Sequence, residues 1–560
     1  MKIVSRVGES MHPFSSVLCA NLYSQNLLTS KWSMNGLRTG SRKKFHQSGV
    51  FALCTLAWAL SPLAAQQAAP QPPAPQPTIA PQQTPPQQPA PVPPPQPGLS
   101  EQVHTGTTSG LDADARLQNL LADHQFLRIE SQLDQLPPEQ AQLYRGILAN
   151  RSNDVKSSIQ LLEPLVDQVS ASGDKAKEKL VRKALAEDYL REGDWAKAAK
   201  AYQTFDLRLQ GHLTPDEQEE IEMPRKLSQL AAADPSRPAM TVDPADPFVL
   251  QAARNPLGLT DIPVYVDARP HSWMLDPTSP FNLISRSLAK EAGLKVSELS
   301  TNIRSLTGRP MEIYVTVIPR FTIGGLITFR NMTAFVYNDA DYAFPQLHYQ
   351  VQGVLGYPAL SALGSLTITN EDRIEVQPAK QPHPADKSSQ TQKIDKEDHP
   401  VPGASFFLDG ERIIVALGNP AAADPSISGK LLPASQPTSK SPVSKTNDER
   451  MFVIDAAGQQ TYLTSRYYDE HVAEFTGQKI QLFTLPGLQS ATPQPAFVAE
   501  TIPLTVGPNT VPIHFIQVLT LPLGSAALDD VYGVLGIDAL DQLEAYTFDY
   551  RTMRFSVRPE

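Results

Sequence analysis

Cysteine is nearly absent: Cys19 and Cys54 are the two thiols in 560 residues. Both precede a small-residue cleavage site at Ala64-Ala65, so the chain cut there holds none. A disulfide framework, a thiol nucleophile and a Cys-ligated metal are thereby excluded. Long hydrophobic runs are also missing. The apolar run Val50–Leu60 has 11 residues, short of the roughly 20 that a helix needs to cross a bilayer. The formal net charge is −10 and no Lys/Arg-rich block follows the N-terminus. That balance repels a phosphate backbone, so nucleic acid is not an expected partner. The 11 histidines show no His-x-x-x-His or Glu-paired spacing, and neither a metal nor another cofactor is expected.

What is present divides the chain by texture. In residues 1–65, Arg38, Arg42, Lys43 and Lys44 precede the apolar run and the small residues, the order of a secretory signal, with Met34 a more ordinary start than Met1. Export to the periplasm or the exterior is expected, with the segment either removed or kept as an anchor. After removal no membrane span remains. Proline, 52 residues in all, concentrates in a Pro/Gln/Ala tract, with 14 between Gln66 and Ser100. Residues 66–111 therefore read as an extended, disordered linker.

Residues 112–235 turn to helical periodicity, rich in Ala, Leu, Glu, Lys and Gln. The stretch Ala186-x-x-Tyr189-x-x-x-Gly193-x-Trp195-x-x-Ala198-x-x-x-Tyr202 resembles a tetratricopeptide repeat, with Gly193 at the turn and the other residues packed between two helices. A weaker copy, Asn153-x-Val155-x-x-Ser158-x-x-x-Leu162, lies 40 residues earlier. A groove for a protein partner, or a generic helical bundle, would follow from this pattern.

Beyond Pro244 short runs of Val, Ile, Thr, Phe and Tyr alternate with Gly and Pro, a strand-and-turn pattern. This region repeats itself. Val351, Gly353, Val354, Leu355, Gly356, Ala359, Leu360, Leu363 and Thr367 recur 180 residues later, from Val531 to Thr547, nine identities in 17 positions. The same offset places Ser285-Arg286 on Ser465-Arg466, and a one-residue shift places Asp276 on Asp455. The expected copies span 245–378 and 402–558, with a linker at 379–401 that nearly coincides with the polar stretch Gln377–Pro400. A second polar insertion, Asn419–Glu449, interrupts the later copy.

Each copy holds an apolar strand ending in aspartate, Trp273-Met274-Leu275-Asp276 and Met451-Phe452-Val453-Ile454-Asp455, and later an apolar-apolar-Gly motif. Two repeated units can bring such carboxylates together across a pseudo-two-fold axis. One can then hold a proton while the other activates water against a peptide carbonyl.

This pattern resembles the retropepsin-like aspartyl proteases, specifically exported bacterial proteins that carry such lobes after tetratricopeptide-like helices. The resemblance implies a multidomain α + β chain with two closed β-barrel lobes and Asp276 and Asp455 as catalytic residues. It also implies substrate-binding flaps near Gly308, within Arg304–Glu312, and near Gly487, within Leu485–Phe497, with a polypeptide substrate. The family motif Asp-Thr/Ser-Gly is not kept, since Pro277-Thr278 and Ala456-Ala457 follow the aspartates. A non-catalytic peptide- or protein-binding module is the alternative that this departure leaves open.

Overall fold

The computed structural model describes residues 110–304, 310–379, 403–410, 412–418, 450–458, 460–484, 493–524 and 529–558. The signal segment, the Pro/Gln-rich linker, nearly all of Gln377–Pro400 and Asn419–Glu449, Gly308 and Gly487 lie outside these.

Helices come first: α1 (Gly110–Ala122), α2 (Phe126–Glu130), α3 (Pro138–Arg151), α4 (Val155–Leu162), α5 (Val166–Ser172), α6 (Lys175–Glu192), α7 (Trp195–Arg208) and α8 (Pro215–Ala232). The turns between α3 and α4 and between α6 and α7 are alike at an offset of 40 residues. Asn153 and Gly193 take positive φ, 56° and 73°, a conformation that costs these two residue types least. Asp154 and Asp194 then cap the next helix, their side chains accepting from Ser157 N and Lys197 N at 3.2 and 3.1 Å. Ser158, Ala198, Leu162 and Tyr202 are buried. Small size matters at the crossing, where a Cβ on Gly146 would come within 2.4 Å of Leu162. Trp195, expected inside the α6–α7 hairpin, is only partly buried. It meets Phe335 of the β-rich part edge-on, with ring centroids 5.8 Å apart. Periodicity assigns a residue to a helix face, and here that face turns to a distant part of the chain.

The β-rich part begins after Met240. In its first copy, Thr260–Val266 runs into Arg269–Leu275 through Asp267 and Ala268, both at positive φ, a two-residue hairpin turn. Arg269–Leu275 lies parallel to Gly353–Leu355, which pairs antiparallel with Leu283–Ser285, itself parallel to Ile327–Tyr337. Ile327–Tyr337 forms a long hairpin with Pro310–Ile323, which also pairs with Thr260–Val266. The second copy repeats these steps. Arg412–Leu417 pairs with Arg450–Ile454, which lies parallel to Gly533–Leu535. Tyr462–Leu463, Asn509–Leu519 and Gln494–Val506 follow in the same order, and a bridge from Thr505 to Gly418 returns to the first strand.

This pairing corrects the sequence alignment of the copies. Ser285 matches Thr464, not Ser465: Ser285 N donates to Gln352 O at 2.9 Å and Thr464 N to Tyr532 O at 3.0 Å. Each is the N-cap of the short helix that follows. Ser285 accepts from Leu288 N there, whereas the Thr464 hydroxyl donates to Val531 O at 2.8 Å, and the identity of two serines misled by one position. The extra residue of the second copy falls after Thr464.

The copies join in one sheet through one strand each. Ser365–Thr369 pairs antiparallel with Ala545–Asp549, and Thr367 faces its own counterpart, Thr547. Their hydroxyl oxygens are 2.7 Å apart. A local two-fold relation between the strands therefore passes at this pair.

The helices pack on both copies. Met223 and Leu227 of α8 share one buried apolar cluster with Leu275 and Phe335. On the second copy, Phe126 meets Phe407 at 4.7 Å. Asp409 receives Arg151 at 2.9 Å and Arg412 at 2.7 Å, while His124 reaches Asp530 at 2.7 Å. Burial opposes ionisation of Asp409, yet Arg151, Arg412 and Lys183 hold it well below the usual carboxylate range.

Candidate active site

Asp276 and Asp455 leave equivalent strands by the same backbone device. Asp276 N donates to Leu355 O at 3.1 Å and Asp455 N to Leu535 O at 2.9 Å. The turn beyond each is pinned by the residue after the apolar-apolar-Gly motif: Tyr357 N donates to Ser279 O, and Ile537 N to Gly458 O, both at 2.7 Å. Gly356 and Gly536 allow this approach. A Cβ on Gly356 would sit 2.2 Å from Phe281 O, and one on Gly536 would sit 2.8 Å from the Gln460 backbone. The glycine amides are satisfied by side chains, Asn282 Oδ1 at 3.1 Å and Thr461 Oγ1 at 2.9 Å.

The carboxylates themselves sit in different surroundings. Asp276 is 1% exposed. Its Oδ1 accepts from Thr278 N at 3.0 Å, Ser279 N at 3.1 Å and Thr278 Oγ1 at 2.6 Å. Burial nevertheless pushes its pKa up to about 7, and the negative charge of Asp455 adds to the rise against the pull of those donors. The structure thus brings the two aspartates close enough for one charge to act on the other. Asp455 is less buried. Its turn closes by Gly458 N donating to Asp455 O at 3.0 Å, and a Cβ on Gly458 would stand 2.2 Å from Asp455 Oδ2. The motif position that carries glycine in the family is Ala457, whereas the close approach to the carboxylate is made one residue later.

Other candidates serve the scaffold. Ser285 Oγ accepts from Leu288 N at 3.2 Å and caps a helix. Arg286 lies over the Tyr314 ring at 4.5 Å. Asp538, which has Pro358 as its counterpart, accepts from Thr461 Oγ1 at 2.6 Å and from Ala539 N at 2.9 Å, at the start of a short helix. The hairpin limbs expected to carry flaps are present, Thr301–Arg304 on Pro310–Ile323 and Gln481–Phe483 on Gln494–Val506. Sequence reasoning missed Thr278, Tyr357 and Tyr550. The hydroxyls of both tyrosines are buried without a hydrogen-bond partner, the rings are 5.6 Å apart, and Asp276 is among the charges that raise the Tyr550 pKa after burial itself. None has a like residue in the other copy to flag it: the counterparts are Ala457, Ile537 and Asn370.

Among the described residues no group of three or more His, Cys, Asp or Glu is placed to hold a metal ion. No helix among them is long and apolar enough to cross a membrane.

Comparison with known proteins supplies three findings. A family model for aspartyl proteases matches residues 262–359, within the first copy. Curated protein sequences give no match. Among solved structures, the chain is similar to a retropepsin-like aspartic protease from Rickettsia conorii, at 18% identity over 24% of this chain and 99% of that one, with a TM-score of 0.19. It is also similar to Basic 7S globulin from soybean, at 11% identity over 57% of this chain and 97% of that one, with a TM-score of 0.33. The family match, which spans both the Asp276 turn and the Gly356 motif that pins it, marks an aspartyl-protease-like domain in the β-rich part.

Proposed function

We propose that the protein is an exported aspartic-type endopeptidase whose two repeated lobes contribute Asp276 and Asp455 to one hydrolytic site. The observation that carries this reading is that Asp276 and Asp455 leave equivalent strands of the two copies through the same N–H to carbonyl bond, with Asp276 buried and its pKa raised by that burial and by the charge of Asp455. A carboxyl group held protonated beside an ionised one is the pairing that water-mediated peptide hydrolysis needs. In this scheme the Asp455 carboxylate takes a proton from water as the water oxygen bonds to the peptide carbonyl carbon. Asp276 gives its proton to the carbonyl oxygen. The resulting diol collapses as its hydroxyl proton returns to Asp276, the C–N bond breaks and the proton on Asp455 goes to the leaving nitrogen.

The helical hairpins, read as tetratricopeptide-like, would add a surface for a protein partner. The rival reading, a module that binds peptides without cleaving them, draws on the 1% exposure of Asp276 and on the absence of a hydroxyl at Pro277 and Ala456. Incubation of the purified protein with an unfolded polypeptide in ¹⁸O-labelled water separates the two. Hydrolysis by water places the label in new C-terminal carboxyl groups and is blocked by a pepstatin-type inhibitor. Intact polypeptide from mildly acidic to neutral pH supports the binding module.

A further inference from the structure

The α6–α7 and α8 helices do more than pack on the β-rich part: together they wall a cavity of about 480 Å³ that opens against the Asp276 turn. Pro277, Thr278 and Phe281 line it from the Asp276 turn, and Trp195, Arg191 and Glu187 line it from the helices. Thr278 is the residue whose hydroxyl holds Asp276, so the cavity reaches to one side chain from the carboxyl group. Its size falls in the range of sites that enclose small molecules or a few residues of peptide, roughly 300–1,000 Å³.

Two features state what it takes. Trp195, Phe281, Phe335 and Met240 offer an apolar surface. Of the buried polar groups on lining residues, Glu187 and Arg191 pair with each other at 3.5 Å and Glu187 also with Lys183 at 3.7 Å, whereas the Tyr357 hydroxyl is buried without a hydrogen-bond partner. Buried polar atoms are nearly always satisfied, and this hydroxyl can donate to or accept from a polar group of a ligand. The charged lining residues cancel, Lys183, Arg191 and Arg237 against Glu187, Glu192 and Glu220, which disfavours a ligand of high net charge. A peptide backbone with one large apolar side chain meets all of these terms, since it presents N–H and C=O groups and no net charge.

We infer that this cavity binds an extended segment of a polypeptide through one aromatic or large aliphatic side chain, so that the helical region supplies part of the substrate site. The choice of a polypeptide rests on the peptidase reading above. The test uses the full chain carrying Asp276→Asn and Asp455→Asn, so that binding is read without cleavage. Calorimetric titration with the probe acetyl-Ala-Ala-Phe-Ala-Ala-amide should give an affinity at least about 10-fold above that of acetyl-pentaalanine-amide, as a buried aromatic ring predicts. Tyr357→Phe removes a hydroxyl that bonds nothing in the free protein, so the fold is retained. It should weaken the Phe probe about 5-fold, the worth of one hydrogen bond. Ser361→Trp, which fills the cavity from its wall, should abolish the preference for Phe. Equal binding of the two probes, or unchanged Phe-probe binding in both variants, overturns the inference. Cleavage by the chain with native aspartates that is unaltered by Ser361→Trp would also overturn it while leaving the peptidase reading intact.

Discussion

The two copies of the β repeat share a backbone and differ in how they treat their aspartates. Both leave the strand through the same N–H to carbonyl bond, and both are pinned through a glycine that tolerates no Cβ. Asp276 is sealed, with three donors on one oxygen. Asp455 is more open and stands against Gly458. The first copy closes its leading hairpin with Asp267 and Ala268, whereas the second places Asn419–Glu449 at the same point. Sheet pairing thus conserves the path of the chain, and the side chains around each carboxyl group are free to diverge. The consequence is asymmetry: burial, with the nearby charge of Asp455, raises the pKa of Asp276 to about 7, whereas Asp455 stands in a more open setting.

The largest consequence concerns stability against pH. The pKa of Asp276 in the folded protein, about 7, lies above its value in the unfolded chain, near 3.9. The folded state therefore holds a proton that the unfolded state releases between those pH values. Its stabilising effect is complete below about pH 4 and is lost as the pH rises through about 7. Urea titrations should show a decline on the order of 4 kcal/mol across that window, and Asp276→Asn should flatten it. An unchanged decline in the variant would remove Asp276 as its source.

A symmetrical effect should accompany this asymmetrical one. Gly356→Ala and Gly536→Ala each force a Cβ into the backbone of the neighbouring turn, and each should cost about 1–3 kcal/mol or more. Denaturant midpoints measure both. A loss confined to one copy would show that the turns are not equivalent.

A smaller effect sharpens the contrast at the aspartates. Thr278→Val deletes a hydroxyl that favours the ionised form of Asp276. Its pKa should rise further, by about one pH unit, and the alkaline fall of the cleavage rate should move up with it. A downward move would contradict the assigned role of the bond.

Much of this arrangement was legible in the sequence because it depends on residues that backbone geometry forces to recur. Gly356 and Gly536, with the apolar pairs before them, could not vary without a clash, so the repeat survived around them. Their positions then led to Asp276 and Asp455. The register at Ser285 was misread because its counterpart, Thr464, is followed by a serine that offers a false identity. Thr278, Tyr357 and Tyr550 were hidden for a different reason, since each acts in one copy alone and leaves no internal echo. The placement of Trp195 against Phe335 joins residues 140 positions apart, which helical periodicity does not encode.

The claim that both aspartates form one catalytic unit is tested most directly by a double-variant cycle. Cleavage of an unfolded polypeptide should be compared for the native chain, Asp276→Asn, Asp455→Asn and the chain carrying both changes. Groups that act as a unit give losses that do not multiply. Each single change should reduce the rate about 10²–10⁴-fold, and the double change should reduce it no further. Rates in both single variants equal to the native rate, or losses that multiply in the double variant, would contradict the shared site.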